Sequence, residues 1–162
     1  MKKNIFLTFG ILILAFVFSI SCSEDNPVVE ALVGKMEADI NGTKWKADLP
    51  AGTSSAIITI INGASLDKTA LNLNINGDTT GIYNLDLLSA SVQCGLTYTV
   101  QAVESLDTTT KIYTGTSGRV EITDKTDSRI SGTFSFKASS VSLTDTASLN
   151  IENGIFKNIY YK

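Results

Sequence analysis

"RVEITDKTDSRISGTFSFKA", residues 119–138, decides the fold class. Val120 and Ile122 alternate with Arg119, Glu121 and Thr123. After the polar run TDKTDSR, Ile130, Phe134, Phe136 and Ala138 alternate with Ser131, Thr133, Ser135 and Lys137. Period-two alternation on both sides of a polar break is the pattern of two half-buried strands joined by a turn.

The same period recurs outward from this pair. "LNLNI" sets Leu71, Leu73 and Ile75 against Asn72 and Asn74. "TYTVQA" sets Tyr98, Val100 and Ala102 against Thr97, Thr99 and Gln101, and "SLNIE" turns Leu149 and Ile151 inward. "AIITII", residues 56–61, is apolar on both faces and reads as a central, doubly covered strand. Asn-Gly occurs at 41–42, 62–63, 76–77 and 153–154, and each pair reads as a turn because both residues tolerate positive φ. "LDLLSASV", residues 85–92, reads as a turn or short helix. The runs add up to nine to eleven short strands. The expected fold is all-β, an antiparallel β-sandwich, with a closed calycin-like β-barrel as the alternative.

The beginning of the chain speaks of location. Lys2 and Lys3 precede Ile5–Ile20, an almost unbroken apolar run of 16 residues that ends at Ser19-Ile20-Ser21. This is the layout of an export leader, and the run is short of the roughly 20 residues of a spanning helix. An uncleaved N-terminal anchor is the other reading. The expected organisation is a leader at 1–21, a tether at 22–33 and a single domain at 34–162. Removing the leader takes away two lysines and no acid, so the formal charge of −3 becomes −5. Four of the seven phenylalanines go with it.

Composition narrows the function classes. No cluster of Lys or Arg is present to follow a phosphate backbone, so nucleic acid is not an expected partner. There is no histidine. That removes the commonest general base and metal ligand, and with two cysteines in the chain no Cys/His zinc set can form. Asp124 and Asp127 in TDKTDSR are too few for a calcium site and read as a solvated turn. No catalytic residue, metal or cofactor is expected.

Several residues carry two readings. Trp45, the one tryptophan, lies between Lys44 and Lys46; the alternation puts it in the core, with stacking on a sugar ring as the competing role. Cys94 has no histidine partner to activate it and reads as a small buried residue. Of Tyr160 and Tyr161, one is expected to pack and the other to face out.

Ser19-Ile20-Ser21-Cys22 resembles the lipobox of bacterial lipoproteins. The small residue before the cysteine matches, whereas Ser19 stands where leucine is usual. The resemblance implies lipid attachment at Cys22. A disulfide to Cys94 would instead tie a tether to a strand end for little gain. Ser23-Glu24-Asp25 resembles the acidic surface-export signal of Bacteroidota lipoproteins. "MEADINGTKWKA", "GIYNL", "GRVEIT…RISGTFSFKA" and "IENGIFKNIYY", in that order, resemble a family of small Bacteroidota lipoproteins without an assigned function. Three Asp-Thr-x triplets resemble the O-glycosylation sequon of that group and mark Thr79, Thr108 and Thr146, with ordinary turn residues as the alternative. The resemblance implies an all-β, exported, membrane-anchored domain, in the outer membrane or at the cell surface, with a protein or glycan partner that the residues do not specify. A binding or accessory role is expected. A carrier of a small apolar ligand and a glycan-active enzyme are the alternatives.

Overall fold

The computed structural model describes residues 32–88, 91–101, 110–142 and 146–161. Eleven strands follow one another: β1 (Lys35–Ile40), β2 (Thr43–Lys46), β3 (Leu49–Ser54), β4 (Thr59–Ala64), β5 (Thr69–Ile75), β6 (Gly81–Asp86), β7 (Ser91–Val92), β8 (Cys94–Gln101), β9 (Thr110–Lys125), β10 (Arg129–Ser140) and β11 (Ser148–Tyr160).

The β9–β10 hairpin is the spine. Val120 lies opposite Phe134 and Ile122 opposite Gly132. Val120, Ile122, Ile130, Phe134, Phe136 and Ala138 are all buried, as the alternation requires. Thr126 closes the turn: its N–H donates to the Arg129 carbonyl (2.8 Å), and its Oγ1 accepts from the Arg129 N–H (3.0 Å). β9, β10 and β11 span 16, 12 and 13 residues, much longer than the short strands expected. The extra length of β9 is used in succession by two neighbours on one edge. Thr110–Thr114 pairs with β8, and Ser117–Ile122 pairs with β6. Within the stretch paired with β6, Gly118 has a φ of +153°, and a Cβ there would collide with the Ser135 carbonyl.

All pairings between strands are antiparallel, in the order β2-β1-β11-β10-β9-β8-β5-β4-β3, with β6 on β9 and β7 on β6. The sheet curls into a half-barrel that brings its two ends together. Gly52 of β3 makes a parallel bridge with Tyr161. The β1–β2 hairpin lies against β4, where a Cβ on Gly63 would stand 2.8 Å from both Ala47 Cβ and Met36 Sδ. The fold is thus all-β and antiparallel. It joins the two expected geometries: facing walls enclose a packed core as in a sandwich, yet one continuous sheet supplies both walls. The buried apolar side chains form a single cluster.

Three details differ from the sequence reading. "AIITII" is not a central strand: Ile57 and Ile58 are exposed in the Ser55–Ile58 turn, and β4 is next to the edge. Only alternate positions of β4, Thr59, Ile61 and Gly63, face inward. Of the two readings of "LDLLSASV" the turn holds: Leu85 and Asp86 end β6, Leu87 and Leu88 form a turn, and Ser91-Val92 is β7. Asn62-Gly63 and Asn153-Gly154 are not turns between strands. Gly63 allows the close approach just described, and Asn153, at φ 51°, lies in the irregular part of β11. Asn41-Gly42, at φ 49° and 80°, is the two-residue hairpin turn expected, and Asn76-Gly77 leads out of β5.

Replacing Trp45, buried between the hairpin and the opposite wall, tests this closure. Trp45→Ala should cost about 3–5 kcal/mol and Gly63→Val about 1–3 kcal/mol by overpacking. Both should lower the urea midpoint.

Candidate functional site

Strand alternation sends the polar side chains to the outer face of the sheet, and there the β9–β10–β11 wall carries a groove of about 450 Å³. Ser117 and Gly118 come from β9, Ser135 and Lys137 from β10, and Asn150 and Glu152 from β11. Lys137 lies directly opposite both Ser117 and Asn150 in the register. The pairing is irregular at this point: β10 shifts against β11 between Phe134 and Phe136, and against β9 between Lys137 and Ala138. Such bulges bend a strand and re-aim its side chains, and the groove lies beside them.

Beside the groove, Asp39 is opposite Glu152 across β1 and β11. Asp39 binds the Lys44 ammonium at 2.8 Å and accepts a hydrogen bond from Asn153 Nδ2 at 2.8 Å. The Lys44 contact, then the Asn153 bond, holds its carboxyl below the usual range. Glu152 is the one carboxylate lining the groove.

The residues singled out from the sequence lie apart from this groove. Trp45 is 5% exposed; its Nε1–H donates to Thr69 Oγ1 at 2.7 Å and its ring meets Tyr98 edge-on. This is the core position, not a stacking platform. Cys94 begins β8, is a free buried thiol, and donates to the Tyr83 carbonyl at 3.1 Å. Burial pushes its pKa up to about 11, the reverse of an activated nucleophile. Thr79 is exposed in the segment between β5 and β6, with its Oγ1 3.2 Å from the Tyr83 hydroxyl. Thr146 is exposed just before β11. Cys22 and Thr108 lie outside the described residues. Asp124 ends up in β9 and Asp127 in the following turn, and no group of three His, Cys, Asp or Glu able to hold a metal occurs among the described residues. Tyr161 packs at 8% exposure while Tyr160, 48% exposed, lies outward.

A second polar cluster ties the half-barrel at the end where Tyr161 meets β3. Lys125 Nζ is 3.3 Å from Asp78 Oδ2 and 5.4 Å from the Tyr161 ring, and the Tyr161 hydroxyl donates to the Thr126 carbonyl at 2.5 Å. Desolvation alone would lower the Lys125 pKa, but the bonds to Asp78 and Tyr161 outweigh it and the net shift is upward. These groups are engaged with one another and read as structural. The groove escaped the sequence reading because its members come from three strands. Lys137 was legible only as an outward residue, and nothing local marks Asn150 or Glu152.

An all-β half-barrel with a filled interior and a polar outer groove is the class of protein that the structure defines. The chain belongs to the family described as Domain of unknown function (DUF6252), whose model matches residues 34–160. Comparison with curated proteins and with solved structures found no match. Among the described residues no helix is long and apolar enough to cross a membrane.

The raised Cys94 pKa has a stability consequence. The fold favours the neutral thiol, so this contribution is fully present below the ordinary value of 9.0 and is lost as pH rises through about 11. Urea titrations at pH 8 and pH 10.5 should show a smaller loss of stability in Cys94→Ala than in the parent. Ellman's reagent should reach Cys94 slowly in the folded protein at pH 8 and at once in urea.

Proposed function

We propose that this chain is an envelope-anchored lipoprotein whose β domain is a non-catalytic binding module, held through an acylated Cys22 and displayed at the outer membrane or cell surface. The observation that carries the binding role is the contrast between the two faces of the sheet. The inner face is taken up by one contiguous apolar cluster, and the outer face carries the polar groove. That contrast favours an external binding surface over a carrier of an enclosed apolar ligand. Glu152 is the one carboxylate lining the groove, and its neighbour Asp39 is engaged by Lys44 and Asn153, which argues against the paired, available carboxylates of glycan hydrolysis.

The placement of β1 suits an anchor. Gly34 packs directly against Asn158 and Ile159 backbone, so the fold grips the chain from that point. The twelve residues 22–33 could span about 40 Å at full extension. Lipid chains contribute about 0.8 kcal/mol per buried CH₂, so a multiply acylated cysteine holds such a domain stably. The acidic run Ser23-Glu24-Asp25 supports display on the outer face.

Mass spectrometry of the chain isolated from membranes should find Cys22 as the first residue, carrying acyl mass. Cys22→Ala should release the protein from the membrane fraction or leave its leader uncut. A parent protein that begins at Ser21 or Cys22 without acyl mass would sink the anchor.

A further inference from the structure

The groove holds one positive and one negative side chain that do not engage each other. Lys137 and Glu152 sit diagonally across neighbouring strands, Lys137 being opposite Asn150, and diagonal neighbours of this kind are about 7–8 Å apart. Elsewhere on the outer surface opposite charges do close: Lys35 on Glu37 at 2.9 Å, Lys44 on Asp39 at 2.8 Å and Lys125 on Asp78 at 3.3 Å. The neighbouring polar side chains are alike in this respect. Ser117, Ser135 and Asn150 line the same groove, and their side chains make no hydrogen bond with the described part of the protein. On the β4–β5 surface, by contrast, Asn74 donates to Asn72 and Asn72 to Asn62. Five polar side chains around one concavity are therefore left with their hydrogen-bonding capacity turned to solvent.

From this we infer that the groove is a site for a small zwitterion of amino-acid or dipeptide size, with the ligand carboxylate on Lys137 and its ammonium on Glu152. The inference rests on the binding role proposed above and names the ligand class. A volume of about 450 Å³ is within the roughly 300–1,000 Å³ of small-molecule sites. The charge pattern does the selecting. A dianion meets Glu152 and a dication meets Lys137, so each suffers one repulsion, whereas a ligand carrying one charge of each sign suffers none. Ser117, Ser135 and Asn150 offer donors and acceptors to a peptide unit between the two ends. Because all five side chains stand on strands paired on both sides, little backbone ordering is needed on binding.

The test is an NMR titration of the mature chain, in detergent, with glycylglycine and with its N-acetylated, C-amidated counterpart. Glycylglycine should shift amides of β9, β10 and β11 around the groove, and the blocked peptide should not. Lys137→Glu and Glu152→Lys should each weaken glycylglycine binding at least tenfold. The double charge exchange should restore it, because the ligand can bind end for end. Equal shifts from the blocked peptide, or single variants that bind as the parent does, would overturn the zwitterion while leaving a binding groove in place. No shift at any groove amide with either peptide would overturn both the zwitterion and the groove as a binding site.

Discussion

The indole of Trp45 sets the terms for the rest of the molecule. A curled sheet with two free ends gains nothing from its curl unless those ends are pressed together, and Trp45 presses them. It projects from β2, at one end of the strand order, onto β4, β5 and β8 at the other, where Gly63 leaves room for it. Burying a large side chain contributes about 1.5–3 kcal/mol, and a buried indole N–H must find an acceptor or forfeit much of that. Thr69 Oγ1 supplies the acceptor and is itself oriented by Asp67, which accepts its hydroxyl proton at 2.5 Å. One ring therefore brings with it a glycine in a strand, a threonine in the core and an aspartate behind it.

Closure at the Tyr161 end is of another kind. Its contacts are polar and partly exposed, and a partly exposed ion pair such as Lys125–Asp78 is worth roughly 0–1 kcal/mol. Its value is positional. Tyr161, Thr126, Asp78 and Gly52 come from four separate segments, and the cluster aligns them. Trp45 packs with Met36 and Ala47 against Gly63 where the ends of the half-barrel meet, and the Tyr161 cluster fixes where its rim lies.

The sequence carried the strands well and the site poorly, for one physical reason. Alternation is local, so Val120, Ile122, Phe134, Phe136, Leu71, Leu73 and Ile151 could be assigned to the inner face before any pairing was known. The misreadings concern residues whose role depends on a distant partner. Gly63 resembles a turn residue until Trp45 and Met36 are seen above it. Ile57 and Ile58 resemble core until the β3–β4 turn places them outside. The groove is the extreme case, since it exists only where three strands slip against one another at bulges. Lys137, Asn150 and Glu152 become neighbours only once β10 is paired with β11.

The groove lies where the pairing of the β9–β10–β11 wall is irregular. Alternation along β10 turns Phe136 and Ala138 into the core, and the shifts of β11 and β9 against it lie beside Ser117, Ser135 and Lys137. The groove lining also includes the core residues Phe136 and Ile151, so site and core meet in this wall. The inward residues of β9, β10 and β11 hold the fold, and the outward ones can change with the ligand without disturbing it.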